Sequence, residues 1–282
     1  MAKSLIEKEY PFVTKDELNK INKVITTICS EYFFLDFLRT TSGNVDDAIG
    51  FFYLDEKLRA ILVQYLMRFE IQVKSDFAKM VEHETRSKQF WKVSKYYLPE
   101  ARAKRPGKRS NYYLTKKNIE SSMGRMSFNT VGPLNYAAMY SISFGCFKTL
   151  FRYIDIQYKQ SFINKYTSHL SSQTFDLLYS YFDCVRLLRN RCAHGNHVIT
   201  MKFKNDLNSY RNIVSNQNIS PLPGQYISVF EAVILFLIKQ LNCGEEFRRK
   251  LNNLFKKYNY SELLSKYVGK HSLSANTLEK IL

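Results

Sequence analysis

Leu58, Ile61, Tyr65, Phe69, Val73, Phe77 and Met80 recur at intervals of three and four residues between about Leu54 and His83. That spacing follows the ~3.6-residue turn of an α-helix and sets all seven on one face, while Lys57, Arg59, Gln64 and Lys74 fall away from it. A long helix with a single apolar stripe is therefore expected over this stretch.

The rest of the chain supplies further helices. Thr14-Lys15-Asp16-Glu17 has the form of a capping box, in which hydroxyl and carboxylate satisfy backbone donors of the first turn, and Leu18, Ile21, Ile25 and Ile28 follow at helical spacing. Pro133 to Tyr153 reads as one core helix or two short ones, and Gly145 within it suggests close approach of another backbone. Phe175, Leu178, Phe182, Val185 and Leu188 mark an amphipathic helix that Gly195-Asn196 would stop. Ser215 to Gly224 reads as a loop, and a further apolar helix runs from Tyr226 to Ile238. No alternating stretch is long enough to build a sheet, so the expected class is all-α.

With 282 residues, 45% of them hydrophobic, the chain can bury one large core or two modest ones. The Tyr226 to Ile238 run is interrupted by Glu231 and falls short of the ~20 apolar residues of a bilayer span, so a buried helix and no membrane are expected. Met1 to Tyr10 mixes Lys3, Lys8, Glu7 and Glu9 and carries no secretion signal, and five scattered cysteines without a C-x-x-C pair fit reduced thiols. Both point to the cytoplasm.

The net charge of +17 attracts phosphate backbones or acidic lipid surfaces without choosing between them. Between Ala101 and Lys117 stand Arg102, Lys104, Arg105, Lys108, Arg109, Lys116 and Lys117, with no acidic residue among them. Pro106-Gly107 breaks any helix there, so the segment is expected as a basic loop, and Tyr112-Tyr113 add rings that stack on unpaired bases. A second positive cluster, Arg248, Arg249, Lys250, Lys256 and Lys257, lies near Tyr258 and Tyr260.

The chemistry concentrates in Arg189-Asn190-Arg191-Cys192-Ala193-His194. An arginine stays protonated and holds a phosphate through a planar fork, while a histidine gives or takes a proton near neutral pH. Metal-free RNA cleavage by the substrate's own 2′-OH needs both kinds of group. On a helix Asn190 and His194 share a face, whereas Arg189 and His194 diverge by about 140°. One chain thus presents half a site, and two motifs facing each other across a homodimer would complete it. Arg191 and His197 are further candidates for RNA contact. The other reading of the motif is non-catalytic, with the same residues only binding phosphate. His194-x-x-His197 lacks a partner set for zinc beyond Cys192, so no metal or other cofactor is expected. The absence of G-x-x-x-x-G-K-[ST], G-x-G-x-x-G and G-x-S-x-G removes the usual support for nucleotide-hydrolase, dinucleotide and serine-hydrolase readings.

Four blocks in order carry a family likeness: Pro11-Phe12-Val13-Thr14; Asp55-x-x-Leu58-Arg59 with Arg68-x-Glu70; Ser143-Phe144-Gly145; and Arg189-Asn190-x-Cys192-Ala193-His194. With them the chain resembles the Abi-like proteins of bacterial abortive phage infection, of the AbiD/AbiF type, within the HEPN superfamily. The resemblance implies one Abi-like helical domain over 1–282, with a HEPN-like core at 54–200 that includes the basic loop 101–117, and C-terminal helices over 201–282. It also implies a metal-independent endoribonuclease toxin in antiviral defence. In that role Arg189 and His194 would be catalytic, Asn190 would orient them or the phosphate, and an antitoxin, in some relatives an RNA, would restrain it. Two positions depart from the family pattern: Met67 replaces a glutamate before Arg68, and His197 replaces an arginine after the motif.

Overall fold

A computed structural model describes residues 4–27, 30–104, 108–125, 134–168, 170, 174–198 and 227–267. Ile28, Arg105, Pro106-Gly107, Pro133 and the Ser215 to Gly224 segment lie outside the described residues. Among those described, the regular structure is helical and no strand forms. One isolated antiparallel bridge joins Tyr97 to Ile154. The chain is all-α, as its apolar spacing predicts.

The helices are α1 (Leu5–Glu9), α2 (Lys15–Thr27), α3 (Glu31–Thr40), α4 (Val45–Thr85), α5 (Pro99–Arg102), α6 (Asn111–Arg125) and α7 (Leu134–Ser141). They continue with α8 (Phe144–Tyr153), α9 (Gln160–Thr167), α10 (Phe175–Ala193), α11 (Ile227–Gln240), α12 (Gly244–Lys257) and α13 (Tyr260–Tyr267). The capping box before α2 forms as expected: the Glu17 carboxylate accepts from the Thr14 backbone at 2.8 Å, and the Thr14 hydroxyl accepts from the Glu17 backbone at 3.3 Å.

The axis of the fold is α4, 41 residues or about 60 Å long at ~1.5 Å per residue. It starts nine residues before Leu54, where Asn44 caps it by accepting from the Asp47 backbone, and Asp46 and Asp47 favour the positive end of the helix dipole. The early start is masked in sequence because Phe51, Phe52, Tyr53 and Leu54 are consecutive and blur the stripe. It ends at Arg86, which takes the left-handed conformation. The helices α3, α7, α10 and α12 pack along α4. Leu58, Tyr65, Phe69, Val73 and Phe77 are fully buried, in keeping with their spacing, while Ile61 and Met80 are partly covered.

Aromatic side chains fill the centre. Phe77 meets Phe147, Phe151 and Phe162 edge-on, and Phe182 of α10 packs against the latter three from the other side. Burying each such ring contributes about 1.5–3 kcal/mol, so this cluster is a main source of cohesion between α4, α8, α9 and α10. On α12, Phe247 stacks on Tyr65 with ring centroids 4.4 Å apart. At the other end Tyr267 of α13 bonds Asp47 in the first turn of α4.

Of the two forms expected for the Pro133 to Tyr153 stretch, its described residues take the two short helices, because Ser143 caps α8 by accepting from the Cys146 backbone. Two other sequence expectations change. Gly145 meets no backbone: a Cβ added there would lie 3.8 Å from the Arg186 and Ser143 side chains, an ordinary contact. The basic segment is a loop only in part. Ser110 accepts from the Tyr113 backbone at 3.2 Å and starts α6, so Tyr112, Tyr113, Lys116 and Lys117 are helical while Arg102 closes α5. The helix break expected from Pro106-Gly107 thus does not extend past Ser110. The apolar run after residue 226 forms α11, whose Ala232, Val233, Ile234, Phe236 and Leu237 are buried. No helix among the described residues is long and apolar enough to cross a membrane.

Candidate active site

The final turn of α10 is closed by a Schellman motif. The Asn196 backbone donates to the Arg191 carbonyl at 3.0 Å and the Gly195 backbone to the Cys192 carbonyl at 3.3 Å. Gly195 sits at φ +69°, a conformation that suits glycine, and His194 caps the helix with its side chain exposed to solvent. The histidine is therefore presented by a rigid turn.

Packing from α4 holds that turn in place. Arg59 donates through Nη1 to the Gly195 carbonyl at 2.7 Å and pairs through Nε with Asp55 Oδ2 at 2.9 Å. Asp55 is fully buried, and its Oδ1 accepts the Val198 backbone N–H at 2.7 Å. His197 points inward rather than toward solvent: its ring stacks on Phe33 at 4.1 Å, meets Phe37 edge-on at 4.2 Å and places Nε2 3.5 Å from Asp36. Burial lowers its pKa below the usual histidine range against the pull of Asp55 and Asp36. Arg191 donates to the His197 carbonyl at 3.3 Å, so it too is used within the turn. Cys192 is buried and its thiol is pushed up to about 12 by burial, then by Asp55, which makes it a poor nucleophile.

Arg189 lies on a different face, toward the middle of α4. Its Nε is 3.7 Å from Glu70 Oε2, and its Nη1 donates to Asn190 Oδ1 at 3.3 Å. The other carboxylate oxygen of Glu70 accepts from Lys74 at 2.5 Å, and Lys74 also bonds the Ile142 carbonyl at the end of α7. Burial lowers the pKa of Lys74, an effect that Glu70 offsets and Arg189 reinforces. Arg189 thus stands over a cleft of about 290 Å³ between α4 and α7. Its side chain is 38% exposed, enough to meet a ligand.

The blocks that are far apart in sequence meet here. Asp55 and Arg59 hold the His194 turn, Glu70 orients Arg189, Lys74 clips the residue before Ser143, and Gly145 lies against Arg186 of α10. Met67, one of the two positions expected to depart from the family pattern, lines the cleft and is exposed. Arg68 beside it keeps an interhelical pair, to Glu246 of α12 at 3.4 Å.

A family model described as Abi-like protein matches residues 30–200. The chain belongs to the Abi-like protein family. Membership supports a role in abortive infection. No curated protein and no solved structure matches this Abi-like chain.

The remaining expected RNA contacts lie on the α5–α6 side of the Abi-like fold. Arg102, Lys104, Lys108, Arg109 and Lys117 are exposed. Arg109 stacks over Tyr113 at 4.7 Å and donates to its hydroxyl. Tyr112 is half-buried against Tyr97 and donates to the Lys92 carbonyl, and Lys116 lies 4.0 Å from Glu120. Helix α6, which carries part of this basic surface, packs on α7, the helix that forms one side of the cleft. Sequence reading missed Asp55, Arg59, Glu70 and Lys74 as parts of the site. Their spacing of four residues in each pair, Asp55 with Arg59 and Glu70 with Lys74, is a legible signal of intrahelical ion pairing.

Proposed function

We propose that this Abi-like protein is a metal-independent endoribonuclease of the HEPN type, a toxin of phage defence that cuts single-stranded or loop RNA. The observation that carries the reading is that one helix end presents an exposed histidine, His194, and, on a different face, an arginine, Arg189, held half-exposed by Glu70 at the mouth of a cleft. Arg189 stabilises the charge that grows on the phosphorane, and His194 transfers a proton. The 2′-oxygen attacks phosphorus, the bond to the 5′-oxygen breaks, and the leaving oxygen takes a proton. The products are a 2′,3′-cyclic phosphate and a 5′-hydroxyl.

Deprotonating the nucleophile and protonating the leaving group call for two acid–base groups, and each chain exposes one such histidine on this helix end. A homodimer with two motifs facing each other supplies both. The net charge of +17 and the exposed cations from Arg102 to Lys117 support RNA as substrate and would hold its backbone. An antitoxin, with a small RNA as a chemically fitting one, restrains the activity until infection.

The test is cleavage of a mixed labelled RNA pool in EDTA by wild type and by His194→Ala, with product ends mapped. Cleavage by wild type alone, leaving cyclic phosphate ends, supports the reading. Retained RNA binding without cleavage by folded, nucleic-acid-free wild type leaves a protein whose motif only contacts phosphate.

A further inference from the structure

Four exposed apolar or aromatic side chains gather on one cleft. Met67 and Ile71 of α4 are 51% and 45% exposed, and Tyr136 and Tyr140 of α7 are 42% and 49% exposed. The two tyrosine rings lie nearly parallel, 18° apart with centroids at 6.3 Å. Core packing leaves no reason for such residues to face solvent together. Arg189, Lys74 and Glu70 line the same cleft, with Glu70 bridging the two cations. Two cations against one carboxylate leave this wall positive.

We infer that the cleft between α4 and α7 is a subsite for one unpaired RNA nucleotide, whose base stacks on Tyr136 and Tyr140 while its phosphate meets Arg189. This deepens the proposed function and rests on it only for the identity of the neighbouring reaction.

Three observations favour a nucleotide over a protein segment. The volume of about 290 Å³ lies at the lower limit of small-molecule pockets, ~300–1,000 Å³, which suits a single planar ring system. Paired aromatic rings accept any base through its π-face. Arg189 supplies a planar cationic fork beside the rings, the geometry that phosphate recognition uses. Thioether and branched side chains of Met67 and Ile71 would close the other side of the ring, because both are apolar and adapt to a flat surface. Glu70 has one oxygen directed toward Arg189, so a phosphate that draws Arg189 away frees that oxygen to accept from an amino group on a base.

The experiment measures fluorescence anisotropy of a short labelled single-stranded RNA and of the same sugar–phosphate chain with its bases removed. The full-length protein carries His194→Ala so that the RNA is not consumed. Tyr140→Ala and Tyr136→Ala are each expected to weaken binding of the intact RNA by about 5- to 150-fold and to leave the base-free chain unchanged, while Tyr140→Phe keeps the affinity. Both tyrosines are exposed, and circular dichroism checks that each variant folds. Equal effects on the two ligands, or none on the intact RNA, would overturn the subsite. So would a Tyr140→Ala variant that sediments as a smaller species with RNA affinity intact, since the face would then be covered by a second copy of the chain. Base-dependent binding through the tyrosines with no cleavage by wild type would sink the catalytic reading and leave the subsite standing.

Discussion

The guanidinium of Arg59 donates to the carbonyl oxygen of Gly195 over 2.7 Å, joining residues 136 apart in sequence. The same side chain pairs with the buried Asp55, which accepts from Val198. The turn that presents His194 is thus held by the first half of α4 rather than by its own helix alone.

Arg59→Met should lower stability by about 3–5 kcal/mol, because it leaves the fully buried Asp55 carboxylate without its cation. Urea unfolding followed by circular dichroism reads the loss. The variant should also lose cleavage, since the turn carrying His194 loosens. A stability change below about 1 kcal/mol would contradict the latch.

His194→Ala should reduce RNA cleavage by about 10²- to 10⁴-fold while leaving RNA affinity nearly unchanged. The side chain is exposed, so its removal should leave the fold intact. Single-turnover kinetics and anisotropy on the same sample separate the two effects.

Glu70→Gln acts on two neighbours together. It removes the charge that offsets the burial of Lys74, which costs about 1–3 kcal/mol, and it releases Arg189 from its position over the cleft. The expected outcome is a lower melting temperature together with a fall in kcat, rather than a rise in KM alone.

His197 makes stability depend on acidity. Burial between Phe33 and Phe37 lowers its pKa in the folded chain, so the unfolded chain takes up the proton first as pH falls through ~6.5. Its contribution is complete above that value and is lost below it, with Asp36, Asp55 and Arg59 as the charged groups that face the ring. His197→Phe should keep the ring stacking and show a smaller drop in melting temperature between pH 7 and pH 5 than wild type. An unchanged drop would remove His197 from the account.

Gly195→Ala should cost about 1–2 kcal/mol, the penalty for an L-residue at positive φ. The added Cβ would also stand 3.4 Å from Arg59 Nη1 and press on the latch. Thermal unfolding measures the first effect, and the cleavage rate the second.

The sequence by itself determined the class of fold and the ends of several helices. Apolar spacing on α4 and α10, and the hydroxyl cap at Thr14, are local properties that a helix expresses wherever it forms. The Arg189 to His194 hexapeptide was equally legible, since its residue types and interval are written in one segment. Tertiary structure decided which of the candidate side chains are available. Of the expected RNA contacts Arg191 and His197, the first is half-buried and bonds the His197 carbonyl, and the second is enclosed by Phe33 and Phe37 of α3. Arg59 and Lys74 fall off the apolar stripe, and Asp55 and Glu70 entered only through the family likeness; the packing of α10 and the α7–α8 turn on α4 is what gives all four their partners at the site. The cleft beside Arg189 has no sequence signature, because only the packing of α7 on α4 brings the exposed Tyr136 and Tyr140 beside Met67, Ile71 and Arg189. Helix formation depends on neighbours a few residues away, whereas desolvation and ion pairing depend on whichever side chains the fold brings within a few ångströms.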